Sequence, residues 1–467
     1  MWRLDLRSGL LAAIAVFALA LSARAQVVVD PTLTLQQLLP FGSLTQPTSM
    51  AFLGADDFLV LEKTTGNVRR VVGGVLQVAP VLTVPVNFSS ERGLLGIAIN
   101  HETPRKVFLY YTEAATLGGT AIANRVYRYT WNAGTGTLVS PSLVLDLPVT
   151  PGPNHNGGVL VLGPPNQFPG AGDGAALFVV IGELNRNGQL QNSAFGSAPD
   201  DTGVIFRVRQ DGTAIPGNPF TPYCSVTTAQ TCASSATCPG GETCRTQIAR
   251  YWAYGVRNSF GLTLDAQTGQ LWDTENGPDT FDEINRVLPG MNSGWTDIMG
   301  PDALDPQGVG DLFNIPGAGL TYSDPEFSWQ STVAPTAIVF PYGSSLGPAY
   351  DSRAIVADNN NGLLYAFPLN AGRTGFALSG ALADLVANTQ TEANPLTFGQ
   401  DFGAITDLKV GPSGDLYAVD LGLGTVFRIS GPAQPVPMFS QLALALFGTA
   451  LGVALAIRLA TRRPAAR

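Results

Sequence analysis

Residues 406–429 read TDLKVGPSGDLYAVDLGLGTVFRI: an apolar strand, a Gly-Pro-Ser-Gly turn, a second strand ending in Asp420, a Gly-rich turn and a third strand carrying Arg428. Alternating apolar runs broken by Gly, Pro and Asp are strand and hairpin signals, and so short a unit cannot bury its apolar residues alone. The same order recurs at Met50–Val72 (MAFLGADDFLVLEKTTGNVRRVV), Leu94–Tyr129, Gly158–Val208 (with VLVLGP, LFVVIGEL and GVIFRV), Gly261–Val287 and Thr336–Leu369. These are six copies of one multi-stranded unit, with no useful helical periodicity between them, so the body is all-β and a six-bladed β-propeller rather than a pair of sandwiches. Uneven spacing marks loop insertions, notably Pro164–Asp173, a cysteine-rich stretch and Gly300–Gln330.

The two ends read differently from the body. Arg3 and Arg7, the apolar run Leu10 to Leu21 and Ala23-Arg24-Ala25 have the order of a secretory signal, so residues 1–25 are set aside as a signal peptide. Residues 431–438 read as a linker, and 439–467 as a single C-terminal hydrophobic helix with a basic end, long enough to span a bilayer. That tail, PVPMFSQLALALFGTALGVALAIRLATRRPAAR, resembles the bacterial IPTL-CTERM and PEP-CTERM sorting signals. The resemblance implies a sorting enzyme as partner, and a plain membrane anchor is the alternative. The expectation is an exported chain: periplasmic, outer-surface or extracellular, with anchoring through the tail as one form of it.

Residues 26–430 are the working body. Seven of the 26 Lys and Arg but only one of the 35 acids lie in the terminal segments, leaving a body with 19 basic and 34 acidic residues, net −15. Such a surface repels phosphate backbones, which excludes nucleic acid as a partner. Only three lysines exist, Lys63, Lys106 and Lys409. All four cysteines, Cys224, Cys232, Cys238 and Cys244, fall in the insert 223–246. In an exported chain an even cluster on a Gly/Ser/Thr-rich loop reads as two disulfides, in any of three pairings; a zinc site lacks both a CxxC pair and a nearby histidine.

Chemistry concentrates at strand–loop junctions. SSERGLLGIAIN supplies Glu91; PGPNHNGGVLVLGP places His155, one of only two histidines, on an Asn/Gly loop that runs into a strand; YGVRNSFGLTLD supplies Arg257 and Asn258; WDTENGPDTFDEINRV holds Gly277 and Pro278 in an acidic loop. Equivalent junctions of successive blades converge on one mouth of a propeller's channel, so residues distant in sequence can meet there. A neutral imidazole accepts a proton near neutral pH, and a carboxylate on its other nitrogen fixes the tautomer. The other histidine, His101, lies in the polar turn NHETPRK and reads as surface.

The succession GLLGIA, NHNGG, IGE, YGVRNSFGL, ENGPDTFDEIN and DNNNGLLYAF resembles the soluble, PQQ-dependent glucose and sorbosone dehydrogenase family, over about Pro47 to Ile429. The resemblance implies a quinoprotein oxidoreductase that oxidises a sugar or polyol hydroxyl by hydride transfer to PQQ and passes the electrons to an acceptor. It assigns His155 as catalytic base, Glu183 as its carboxylate partner, Arg257 as the group stabilising the reduced quinone, and Asn258 as a cofactor contact. It further assigns the carbonyls of Gly277 and Pro278 to a Ca²⁺ ion, and Glu91 to the sugar.

One part of the family's pattern is broken. The lysine and two arginines that face the three carboxylates of PQQ correspond here to Asn360, counted as a cofactor contact, and to Ala404 and Thr406. A substitute cation would have to be an arginine such as Arg353, or Lys409. Two other readings stay open: a propeller that has lost PQQ and binds carbohydrate or protein at the surface, and a calcium-dependent lactonase-like hydrolase recruiting Asn154, Asn156, Asn359 and Asn360.

Overall fold

The computed structural model describes residues 25–163, 175–304, 308–319 and 321–432. The signal-peptide, linker and C-terminal tail assignments therefore lie outside the described residues, apart from residue 25 and the first two of the linker. Among the described residues no helix is long and apolar enough to cross a membrane.

Among the described residues six sheets follow one another along the chain, antiparallel except where Val386–Ala387 adds parallel to Phe327–Ser331. Blade one opens with Pro47–Gly54, blade two with Leu94–Ile99, blade three with Leu160–Leu162, blade four with Ser259–Leu264, blade five with Pro335–Val339 and blade six with Ile405–Val410. These opening strands touch their neighbours in ring order, and the sixth returns to the first, so they line a central channel. The six repeats of the sequence are the six blades.

Stacked blades bury both faces of their middle strands, which explains why Leu177–Ile181 (LFVVI) and Val204–Val208 (VIFRV) are buried at every position and show no polar alternation. Apolar clusters accordingly lie between blades; one joins Phe108 and Tyr110 of blade two to Leu177, Val179 and Phe206 of blade three. Burying side chains of this size contributes about 1.5–3 kcal/mol each.

Ring closure comes from a segment outside the repeats. Thr34–Gln37 pairs antiparallel with Thr425–Ser430 as the outer strand of blade six, and Val27–Val28 adds to blade five beside Thr397–Gln400. The cysteine insert leaves blade three between Val204–Val208 and Tyr251–Tyr254, stapled by disulfides Cys224–Cys238 and Cys232–Cys244. Of the three pairings the sequence left open, this is the one formed, and it leaves no thiol for zinc.

Candidate active site

At one end of the channel lies a pit of about 390 Å³ to which every blade contributes. Hydrogen bonds between neighbouring blades lace its wall. Thr48 Oγ1 donates to Leu94 O at 2.8 Å, Tyr110 Oη to Asn156 O at 3.0 Å, Glu183 N to Arg257 O at 2.9 Å, Thr336 Oγ1 to Ile405 O at 2.6 Å, and Thr406 Oγ1 to Pro47 O at 3.0 Å.

His155 lines this pit on the loop before blade three's opening strand. Its backbone is left-handed (φ 59°), a conformation that costs a non-glycine residue on the order of 1 kcal/mol and needs outside support. Two carboxylates give it. Glu91 Oε2 accepts from the His155 backbone N–H at 2.5 Å, and the buried Glu183 carboxylate meets His155 Nδ1. The next residue, Asn156, is fully buried, with Oδ1 accepting from Asn124 Nδ2 at 3.1 Å, so the loop is anchored on blade two. Glu183 is itself fixed, accepting from Arg186 N at 2.8 Å.

Arg257 enters from blade four. Its Nη1 donates to Asn276 O at 2.6 Å and Gly277 O at 2.8 Å, and the guanidinium stacks 5.0 Å from the Trp295 ring centre. Burial lowers its pKa, opposed by the charges of Glu183, Glu275, Glu91 and Asp282. The neighbouring Asn258 donates through Nδ2 to Glu91 Oε2 at 3.2 Å, so one carboxylate of blade two holds groups of blades three and four. The His155 and Arg257 backbones converge on Gly182, where a Cβ would collide with the carbonyl oxygens of both. The imidazole and the guanidinium thus share one rim.

Among the described residues, two polar atoms in this wall are buried without a partner: Arg257 Nε and Asn258 Oδ1. Buried polar groups are nearly always satisfied, so orphans in a cavity wall mark where a ligand would bind. Glu91 lines the pit, but its Oε2 is already taken up by His155 and Asn258. Gly277 is buried, its carbonyl turned to Arg257 and its N–H donating to Asp282 Oδ1 at 2.9 Å; Pro278 is exposed.

Several sequence expectations need correcting. Asn360 is exposed and absent from the lining; Asn359 takes its place. Arg353 bonds to the Ala349 and Ala366 carbonyls, and Lys409, which lines the opposite opening of the channel, pairs at 2.9 Å with Asp407, an acid that itself lines the pit, so neither replaces the missing cations. The four asparagines proposed for a hydrolase do not converge: Asn156 is tied into the loop, Asn154 Oδ1 accepts from Ser90 Oγ at 2.5 Å, and only Asn359 lines the pit. Lys63, which the sequence reading passed over, does line it.

The sequence profile of the glucose/sorbosone dehydrogenase family matches residues 44–229 and 235–426. The chain belongs to this family. It is 24% identical over 405 residues to the aldose sugar dehydrogenase YliI of Escherichia coli, covering 83% of this chain and 90% of that protein. It is also 24% identical over 281 residues to quinoprotein glucose dehydrogenase B of Acinetobacter calcoaceticus, 55% of this chain and 52% of that one. Among solved structures, the fold is similar to the soluble aldose sugar dehydrogenase of E. coli (TM-score 0.61, 22% identity, 86% of this chain, 100% of that one). It is likewise similar to the PQQ-bound aldose sugar dehydrogenase of Streptomyces coelicolor (TM-score 0.58, 23% identity, 85% and 98%). Membership supports a sugar oxidoreductase in general terms.

Proposed function

We propose that this family member is an exported oxidoreductase that removes a hydride and a proton from a C–H/O–H pair of a sugar or polyol, giving the lactone or ketone. The observation that carries the reading is the His155–Glu183 contact in a pit shared with Arg257. Glu183 occupies Nδ1 and leaves Nε2 as the nitrogen that takes the hydroxyl proton; the resulting imidazolium stays paired with a buried carboxylate. Glu91 keeps the imidazole backbone in place, and Arg257 offers positive charge where negative charge develops on an acceptor oxygen.

The donor set fits PQQ at its quinone end, where Arg257, Asn258 with its orphan oxygen and the Gly277 carbonyl stand together. Bound with Ca²⁺, PQQ would supply the hydride acceptor, returning electrons to an external acceptor. At the carboxylate end the fit is thinner, since Asn359 and Thr406 are neutral, Thr406 is bonded to Pro47, and Ala404 offers no polar side-chain atom. Export accords with two disulfides. A second reading, a surface carbohydrate-binding propeller without PQQ, is favoured by those same lost charges.

Reconstitution separates the two. The purified body with PQQ and Ca²⁺ is expected to reduce a dye when given aldoses; sugar binding with no PQQ uptake would replace the oxidoreductase by the binding module.

A further inference from the structure

Several cations elsewhere in the molecule are committed to acids: Arg70 to Asp57, Arg125 to Glu113 and Asp146, Arg373 to Asp265, and Lys409 to Asp407. Lys63 is different. It lines the pit, has no carboxylate within ion-pair distance among the described residues, and donates one hydrogen bond, Nζ to Ser90 O at 2.6 Å. An ammonium has three donors, so donor capacity remains toward the cavity.

Its placement is built. Lys63 N donates to Gln46 O at 3.0 Å and its carbonyl accepts from Leu94 N at 3.1 Å, which pins the residue where blades one and two meet. Gly93 leaves room for the stem, since a Cβ there would come within 2.6 Å of Lys63 Cγ. Burial lowers the Lys63 pKa, with the Glu91 charge opposing. A half-buried ammonium without a counter-ion is costly unless a ligand provides one.

We propose that Lys63 is the carboxylate-binding residue of this pit, supplying from blade one the recognition of an acidic ligand that blades five and six have lost. This rests on the reading of the pit as the cofactor and sugar site. The shared chemistry is a carboxylate, carried either by PQQ or by a sugar acid.

The test is a PQQ titration of the full chain with Ca²⁺, by calorimetry, on wild type, Lys63→Met and Lys63→Arg, with thermal midpoints confirming that each folds. A charge-assisted hydrogen bond of this kind predicts a Kd raised about tenfold or more in Lys63→Met, with Lys63→Arg recovering most of it and salt weakening wild type more than Lys63→Met. PQQ binding by Lys63→Met within twofold of wild type would overturn the proposal while leaving the oxidoreductase reading intact. Absence of PQQ binding by wild type would instead remove that reading, and the same titration with galacturonate against galactose then decides Lys63. A preference for galacturonate that Lys63→Met abolishes assigns the carboxylate to the sugar; no preference overturns the proposal.

Discussion

The channel opens into two pits, and the larger one holds less chemistry. About 620 Å³ lies at the far end, walled by aliphatic and aromatic residues such as Met50, Phe52, Ile97, Leu160, Leu262 and Val410. Among the described residues none of its polar side-chain atoms is buried without a partner: Asn100 Nδ2 donates to Gln210 Oε1 at 2.9 Å and Lys409 pairs with Asp407. His101 sits there exposed, its pKa lowered by partial burial and by Arg105. The smaller pit, built from the opposite ends of the same opening strands, holds an imidazole backed by a carboxylate and, among the described residues, two cations without an ion-paired acid and two orphaned polar atoms. Volume therefore does not locate a site; polar groups left without partners do.

The two pits should respond unequally to mutation. Glu183→Ala removes the group at His155 Nδ1 and is expected to lower kcat for sugar-dependent dye reduction by about 10²–10³-fold, while His101→Ala in the far pit leaves it within twofold. Comparable losses from both would erase the distinction.

A smaller effect should come from Glu91, which steadies His155 rather than touching the transferred proton. Glu91→Ala is expected to cost about tenfold in kcat, and Glu91→Gln, which keeps an acceptor for the His155 N–H, only a few-fold. If both variants instead raised KM alone by equal factors, Glu91 would be a sugar ligand with no positioning role.

The smallest effect concerns stability within blade four. Asp273 is fully buried with no partner at Oδ1 among the described residues, and burial raises its pKa well above the ordinary 3.8, reinforced by Glu275. Between the unfolded and folded pKa values the native state holds a proton that the unfolded chain has released, so this group destabilises the fold increasingly as pH rises above about 4. Asp273→Asn should raise the thermal midpoint at pH 8 by a few degrees and change it less at pH 5; a midpoint gain independent of pH would contradict the assignment.

The propeller was legible because each blade repeats its turn chemistry, the candidates His155 and Arg257 because they sit at strand–loop junctions, and Glu183 only through the family resemblance. Thr34–Gln37 was not, since TLQQ is a mostly exposed edge strand whose partner lies at the other end of the chain. Lys63 hid in Glu-Lys-Thr-Thr-Gly, which reads as a solvated turn. A signal existed in the register: Glu62, Glu275, Asp358 and Asp420 end the second strands of blades one, four, five and six. Each is followed by a residue that lines the pit, Lys63, Asn276, Asn359 and Leu421. Aligning those acids would have found Lys63 and moved the blade-five assignment from Asn360 to Asn359. Asp358 turns back into its loop, accepting from Asn361 N and Leu363 N, both at 3.0 Å, whereas Glu275 accepts from Arg257 N at 2.5 Å and Ser293 Oγ at 2.7 Å.

The central claim, that the small polar pit takes a proton from a sugar hydroxyl through His155, is tested most directly by single-turnover dye reduction with PQQ, Ca²⁺ and saturating aldose on wild type and His155→Ala. The account predicts a loss of about 10³-fold or more with PQQ affinity unchanged. A His155→Ala protein that keeps most of the wild-type rate would contradict it.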